Sequence, residues 1–485
     1  MQELLKDLEP KLLWKHFLAL TAIPHGSKNE AAAAAYVVAQ GQAMGLPVRQ
    51  DAAGNVVITK PATDPAKKKA PATVLQGHLD MVCEKNEGTD HDFATDALDV
   101  YRDGDFIKAR GTTLGADNGI GVAAALAVLE STDLKHGPLE CLFTIDEETG
   151  LTGAFQLDPS MLKGGTLLNL DSEEEGALYI GCAGGMDSVA TCRLRMVRPL
   201  AGTAACRLKV AGLQGGHSGL EISTGRGNAL KLLARVLWRL GDAFALDIAS
   251  FKGGSKRNAI PREAFAIVAV DPAKLGEIRE FLAREQADIR SELGKADPGL
   301  VLLLEEQGGA PDRVIDPDDA GRVVEFLYAC PHGVIAMSPD IPELVQTSTN
   351  CAIIETEDEQ VRVSMSHRSS VESAKHDAGR MVNAYCTLAG FEVTQGSGYP
   401  GWKPNLDSPV LQKAIAVHER IFQYKPEVKA IHAGLECGII GEKFPGMDMI
   451  SFGPDIKGAH SPDERVSVKS VGNFWQYLVS LLQEL

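Results

Sequence analysis

Three short β-rich runs in the first third of this chain end on residues that can bind a metal or move a proton. "ATVLQGHLD" (72–80) carries His78 and Asp80, "LECLFTID" (139–146) runs into Glu147 and Glu148, and "GGTLLNLD" (164–171) stops at Asp171. A fourth run, "NVVITK", precedes them, and helical stretches separate them: "LLWKHFLALTAI", "NEAAAAAYVVAQGQAMG" closing on a glycine, and "NGIGVAAALAVLEST". Strands alternating with helices predict an α/β domain with a mostly parallel sheet. In such sheets ligands gather beyond the carboxyl ends of the strands, where these residues fall.

The texture changes near residue 187. "SVATCRLRMV", "TAACRLKVAGL" and "REAFAIVAV" read as strands, and "GRGNALKLLARVLWRLG" as an amphipathic helix. Helices are then expected over 273–294, 317–329 and 372–389, with strands at "GLVLLLEE" and near 350–365. Residues 187–398 therefore read as a second, inserted α/β domain, with room for two related lobes. The Gly- and Pro-rich "TQGSGYPGWKP" marks the return. After it come a helix "SPVLQKAIAVHERIF", a glycine-rich turn "IHAGLECGIIG", a strand "MDMISFGP", a loop with His460 and a closing helix. The expected organisation is a catalytic domain over 1–186 and 399–485, interrupted at 187–398. A chain of 485 residues, 44% hydrophobic and 23% charged, is long enough for two or three such domains.

A formal net charge of −17 argues against a nucleic-acid partner, which needs clustered Lys and Arg. The one basic run, Lys67-Lys68-Lys69, sits in a loop-like "TDPAKKKAPA". No membrane helix is expected, since no stretch reaches the ~18 apolar residues it needs. The N-terminus "MQELLKDLEPKLLWKHF" does not read as a signal peptide. Nine scattered cysteines without a CxxC pair suggest free thiols, a cytoplasmic location and no thiolate zinc site.

His78, Asp117, Glu148, Asp171 and His460 are the candidate metal ligands. Histidine nitrogen and carboxylate oxygen suit zinc, manganese or cobalt in an open site. Five protein ligands exceed what one catalytic zinc takes but fit two divalent ions if a carboxylate bridges. Asp117, between flexible glycines in "TLGADNGIG" and at or near a helix N-cap, is the expected bridge, with His78 and Asp171 on one ion and Glu148 and His460 on the other. Glu147, pointing elsewhere than Glu148, is the expected general base. Asp80, two residues after His78, is expected to accept the second N–H of that ring. Any one of these residues alone is more often a cap or a solvated acid; the set in this order is what points to metal-assisted hydrolysis.

The segments "IPHGS", "GHLDMV", "TTLGADNGIGVAAALA", "DEETGLTGA", "NLDSEEEG", "GGHSG" and "GAHSPDE" resemble the di-zinc metallopeptidase family of carnosinases and amino-acid deacylases over nearly the whole length. The resemblance implies the same ligands, Glu147 as catalytic carboxylate, Asp80 as its orienting aspartate, and an inserted lid domain. It further implies that His217 in "LQGGHSG" polarises the scissile carbonyl and that Arg368 in "VSMSHRSS" binds the substrate carboxylate, although Ser366 stands where the family pattern has an acid. Asn258 and Glu436 are implied substrate contacts, Glu436 for an ammonium. The implied reaction is hydrolysis of short peptides, preferentially dipeptides with C-terminal histidine such as β-alanyl-histidine. A broader dipeptidase or tripeptidase and an N-acyl amino-acid deacylase are the alternatives. A homodimer, and whether His217 serves its own subunit or a partner's, stay open.

Overall fold

Strands Thr73–His78 and Leu139–Thr144 are buried at every residue, the pattern of parallel strands covered on both faces. In the computed structural model, which describes residues 2–485, they sit at the centre of an eight-stranded sheet. Its order is Val48–Gln50, Val56–Lys60, Leu139–Thr144, Thr73–His78, Thr166–Asn169, Asp448–Ser451, Ala177–Cys182, Glu427–Ile431. The four strands from Leu139–Thr144 to Asp448–Ser451 run parallel. Antiparallel strands flank them: Val48–Gln50 and Val56–Lys60 on one side, Ala177–Cys182 on the other.

Two compact units divide the chain. One comprises residues 1–181, 404–430 and 435–485; the other comprises 182–403 and 431–434. The first holds the parallel strands and the helix Ala116–Glu130, whose run of Ala and Gly lets it bury almost its whole surface. It also holds a four-stranded sheet built from Val100–Asp103, Phe106–Ala109, Ile456–Lys457 and Arg465–Ser467. The sequence reading passed over this sheet. Its available signal was Gly104-Asp105, with Gly104 at φ 63°, between two short β-rich runs.

The second unit is a nine-stranded sheet of antiparallel pairs, from Val301–Gly308 at one edge to Glu392–Gln395 at the other. Helices Ala229–Ala243, Leu275–Leu293, Pro317–Ala329 and Glu372–Leu388 belong to it. In place of two related lobes the unit has one large sheet and two short two-stranded ones, Met196–Val197 with Val314–Ile315 and Gly216–His217 with Ala259–Ile260; its main core takes in Leu233, Leu237, Val268, Ile354, Val363 and Val382. Helix Ala229–Ala243 starts where the Asn228 side chain accepts the amides of Leu230 and Lys231. It buries Leu230, Leu233, Leu237 and Leu240 on one face. Each such side chain contributes about 1.5–3 kcal/mol, and Leu233→Ala costs roughly 2–5 kcal/mol. Among the described residues, no helix is long and apolar enough to cross a membrane.

Candidate active site

The carboxyl ends of the central strands deliver His78, and the segments after them deliver Glu147, Glu148 and Asp171. Two triplets of donor atoms, each within 4.8 Å of one another, share Asp117: His78–Asp117–Asp171 and Asp117–Glu148–His460. The His78 Nε2 lies 3.2 Å from Asp117 Oδ1 and 3.2 Å from Asp171 Oδ1. The His460 Nε2 lies 3.2 Å from Asp117 Oδ2 and 3.1 Å from Glu148 Oε1. His78, Glu147 and Glu148 form a further group of the same tightness.

In this cluster three carboxylates face two imidazoles, an excess of negative charge. Burial opposes a charge on His78, yet Asp171, with hydrogen bonds to Asp117, Asp171 and Asp80, pushes its pKa well above 6.5. Contacts with Asp117 and Glu148 push His460 up to about 11. Glu148 Oε1 and Asp171 Oδ1 are buried and face ring nitrogens, His460 Nε2 at 3.1 Å and His78 Nε2 at 3.2 Å, a costly state for two carboxylates unless a further cation meets them. Two imidazoles and three carboxylates converging on shared points are a donor set that fits divalent zinc, manganese or cobalt.

Other acids of the region are satisfied by the backbone. Asp80 Oδ1 accepts the Glu147 amide at 2.9 Å, and its Oδ2 accepts the Glu148 amide at 3.1 Å and the Ser27 hydroxyl at 2.8 Å. Burial opposes its ionisation, but His78 and these donors hold its pKa at about 2. Glu464, buried in the segment after His460, accepts four amides: Leu114 and Gly115 on one oxygen, Ala116 and Asp117 on the other, at 2.7–3.2 Å. One segment thus supplies a donor to the second triplet and fixes the backbone that presents Asp117. The Asn118 side chain donates to the Leu170 carbonyl at 2.6 Å. Gly77 permits that approach, because a Cβ there would collide with Asn118 Oδ1.

The Asp80 carboxylate lies 3.4 Å from His78 Nδ1, and because Asp80 is past the end of its strand its backbone carbonyl also faces that nitrogen, at 3.0 Å. Two other local expectations need correcting. Glu147 and Glu148 are not at a strand end but open the single helical turn Glu147–Gly150, whose first amides Asp80 captures. The glycine-rich "IHAGLECGIIG" contains a helix, Glu436–Lys443, and Glu436 is its first residue. Glu436 is fully buried: Oε2 accepts from Gln76 and Thr144 at 2.6 and 2.7 Å, whereas Oε1 has no partner. Burial raises its pKa to about 7.

The second unit assembles a different cluster around Arg368. Arg368 is 6% exposed, and its guanidinium pairs with no carboxylate among the described residues. Its contacts are Ser218 Oγ at 3.4 Å, the Tyr399 hydroxyl at 3.0 Å and His217 Nε2 at 3.4 Å. The Gly219 and Leu220 amides donate to His217 Nδ1 at 3.3 and 3.2 Å. That assigns the ring proton of the neutral imidazole to Nε2. Burial and Arg368 lower the His217 pKa and favour that neutral form. Arg368 Nη2 and His217 Nε2 are therefore two donors facing each other without an acceptor. Asn258 is exposed, and its backbone carbonyl accepts the Ser218 amide at 2.8 Å. Neither Ser218 nor Tyr399 was singled out from the sequence. Tyr399 lies in the Gly- and Pro-rich stretch read only as a boundary.

The model of peptidase family M20/M25/M40 matches residues 74–484. The cytosol non-specific dipeptidase of Escherichia coli (strain K12) is 42% identical over 481 residues, covering 99% of each chain. The crystal structure of aminoacylhistidine dipeptidase from Vibrio alginolyticus superposes with a TM-score of 0.91 at 44% identity, over 100% of this chain and 99% of that one. The aminopeptidase PepT from Bacillus cereus shares the fold at 16% identity and a TM-score of 0.57, over 98% of this chain and 99% of that one.

Proposed function

This chain belongs to peptidase family M20/M25/M40 and is a peptide-bond hydrolase, and from that premise we propose that it cleaves short peptides, above all dipeptides carrying a C-terminal histidine. The observation that carries this reading is the pair of donor triplets sharing Asp117, with Glu147 grouped beside His78 and Glu148. We assign His78 and Asp171 to one divalent ion, Glu148 and His460 to a second, and Asp117 to both, with zinc as the expected metal. Such ions, when bound, polarise a carbonyl and acidify water.

The chain's own groups divide the remaining work. Glu147, which neither triplet needs, takes the proton of the attacking water and delivers it to the leaving amine. Asp80 orients the His78 ring and, through the Glu147 and Glu148 amides, fixes the turn that carries both glutamates. His217, with its proton on Nε2, donates to the oxygen on which negative charge develops. Arg368, without an anionic partner of its own, receives the free C-terminal carboxylate and thereby restricts the enzyme to short substrates. Asn258 and the unpaired Oε1 of Glu436 are further proposed substrate contacts. In this scheme the first unit is the catalytic domain and the second is the lid.

The name of the Vibrio relative supports the preference for C-terminal histidine, and that of the Escherichia coli relative supports a second reading, a broader dipeptidase. A panel of β-alanyl-histidine, alanyl-histidine, alanyl-leucine and N-acetyl-histidine separates them, run on metal-loaded wild type and Glu147→Ala with bound metal counted in both. Faster turnover of the histidine dipeptides supports the preferred reading, and equal turnover of alanyl-leucine supports the second. Preference for the acetylated substrate replaces both with a deacylase. A fully metallated wild type that cleaves nothing overturns the catalytic reading.

A further inference from the structure

The segment around Tyr399 holds a phenol against the Arg368 guanidinium with unusual thoroughness. Its backbone pairs with Gly185 in both directions: the Gly185 amide donates to the Tyr399 carbonyl at 3.1 Å, and the Tyr399 amide donates back at 2.8 Å. Trp402 and Cys182 exchange a similar pair, at 2.9 Å each way. The ammonium of Lys375, a buried residue, also donates to the Tyr399 carbonyl, at 2.7 Å. The ring itself occupies space that two glycines leave free. A Cβ on Gly185 would stand 2.7 Å from the ring, and one on Gly434 2.9 Å from it. Backbone, ammonium and glycines together fix where the hydroxyl stands.

The hydroxyl's hydrogen bonding then follows from its partner. Arg368 Nη1 can only donate, so the Tyr399 oxygen accepts at 3.0 Å and its own proton turns elsewhere. No acceptor for that proton is found among the described residues. The cluster therefore presents three unfilled donors of different chemistry: Arg368 Nη2–H, His217 Nε2–H and Tyr399 O–H. A carboxylate has lone pairs enough to take them, whereas a terminal amide has one oxygen and brings competing N–H donors.

We propose that Tyr399 is a specificity-determining residue: its hydroxyl locks the Arg368 guanidinium and donates to the substrate's terminal carboxylate, so that the pair selects peptides with a free C-terminus over blocked ones. This rests on the assignment of Arg368 to that carboxylate, and the experiment is arranged to tell the failure of one from the failure of the other. Steady-state constants are measured for wild type, Tyr399→Phe and Arg368→Lys, with alanyl-histidine and its C-terminal amide as substrates. Phenylalanine keeps the ring between the two glycines and removes only the hydroxyl.

Tyr399→Phe is expected to raise KM for the free acid roughly tenfold, the loss of one charge-assisted hydrogen bond, while kcat and the constants for the amide change less than about twofold. Arg368→Lys is expected to abolish most of the preference for acid over amide. If Arg368→Lys lowers that preference but Tyr399→Phe leaves it intact, or affects acid and amide alike, the role of Tyr399 is structural and the proposal falls. If Arg368→Lys itself leaves the preference intact, the carboxylate assignment falls, and the Tyr399 proposal with it. Circular dichroism and bound-metal content matching wild type exclude misfolding as the source of either result.

Discussion

The acidic cluster of the first unit and the Arg368 cluster of the second are both incomplete in charge, in opposite senses. Around Asp117 three carboxylates outnumber two imidazoles, and Glu148 Oε1 and Asp171 Oδ1 face those rings rather than backbone amides. Around Arg368, among the described residues, a buried cation meets a serine, a tyrosine and a neutral histidine and no carboxylate. The difference teaches how to separate structural charges from functional ones. Asp80 and Glu464 are also deeply buried, but backbone amides satisfy both oxygens of each. They hold the scaffold. The groups left with open valences are the ones poised for a ligand of opposite sign.

Removing the carboxylate common to both triplets should produce the largest effect. Asp117→Asn keeps the shape but cannot serve two cations, so metal analysis should show fewer than two ions per chain and kcat/KM should fall by roughly 10⁴-fold or more. Retention of both ions by this variant would mean that Asp117 is not shared. Glu147→Gln should separate the base from the ligands, with both ions retained and kcat lower by roughly 10²–10⁴-fold. Loss of metal from Glu147→Gln would instead place Glu147 among the ligands.

The residues with open valences were the legible part of this molecule. His78, Asp117, Glu148, Asp171 and His460 stand at strand ends or glycine-flanked turns, and the parallel order of the central strands brings those ends together. The supporting groups were hidden for a physical reason. Glu464 acts on backbone amides as much as 350 residues earlier in the chain, and an amide carries no side-chain signature. Tyr399 sits among glycines and prolines that ordinarily mark a linker; only the sheet it clamps onto shows otherwise. Helix Glu436–Lys443 was obscured by its glycines, which carry low helix propensity and are overruled by burial. The insertion was legible as a change in texture, but strand alternation does not reveal that most of its strands join one sheet.

The opposite cluster is tested by removing its cation. Arg368→Ala should raise KM for free-acid dipeptides roughly 10- to 100-fold with a smaller change in kcat, because in the proposed assignment the lost contact acts on a part of the substrate remote from the scissile bond. Metal content and the response to Glu147→Gln should be unaffected, keeping the two regions energetically separate. A fall confined to kcat would break the comparison by making Arg368 part of the bond-breaking step.

The smallest effect concerns the neutral histidines that keep the second unit without added positive charge. His367 lies between Thr349 Oγ1 and Ser188 Oγ, each 2.8 Å away, and burial lowers its pKa to about 4. Burial likewise lowers His432 to about 3 and His332 to about 4. The unfolded chain binds a proton at each near pH 6.5, whereas the folded chain does not until much lower pH. Stability from these groups is therefore fully present above about pH 6.5, declines as pH falls, and levels off below about pH 4. At about pH 5.5 each histidine should have cost on the order of 1 kcal/mol, a shift of roughly 2–4 °C in the melting temperature of a unit this size. Acid also titrates the first unit, so the decisive quantity is a difference. His367→Gln can still bond both hydroxyls but has no proton to gain; it should be less stable at neutral pH and lose less on acidification than wild type. Parallel melting curves for the two proteins down to about pH 5 would assign the slope to groups other than the buried His367.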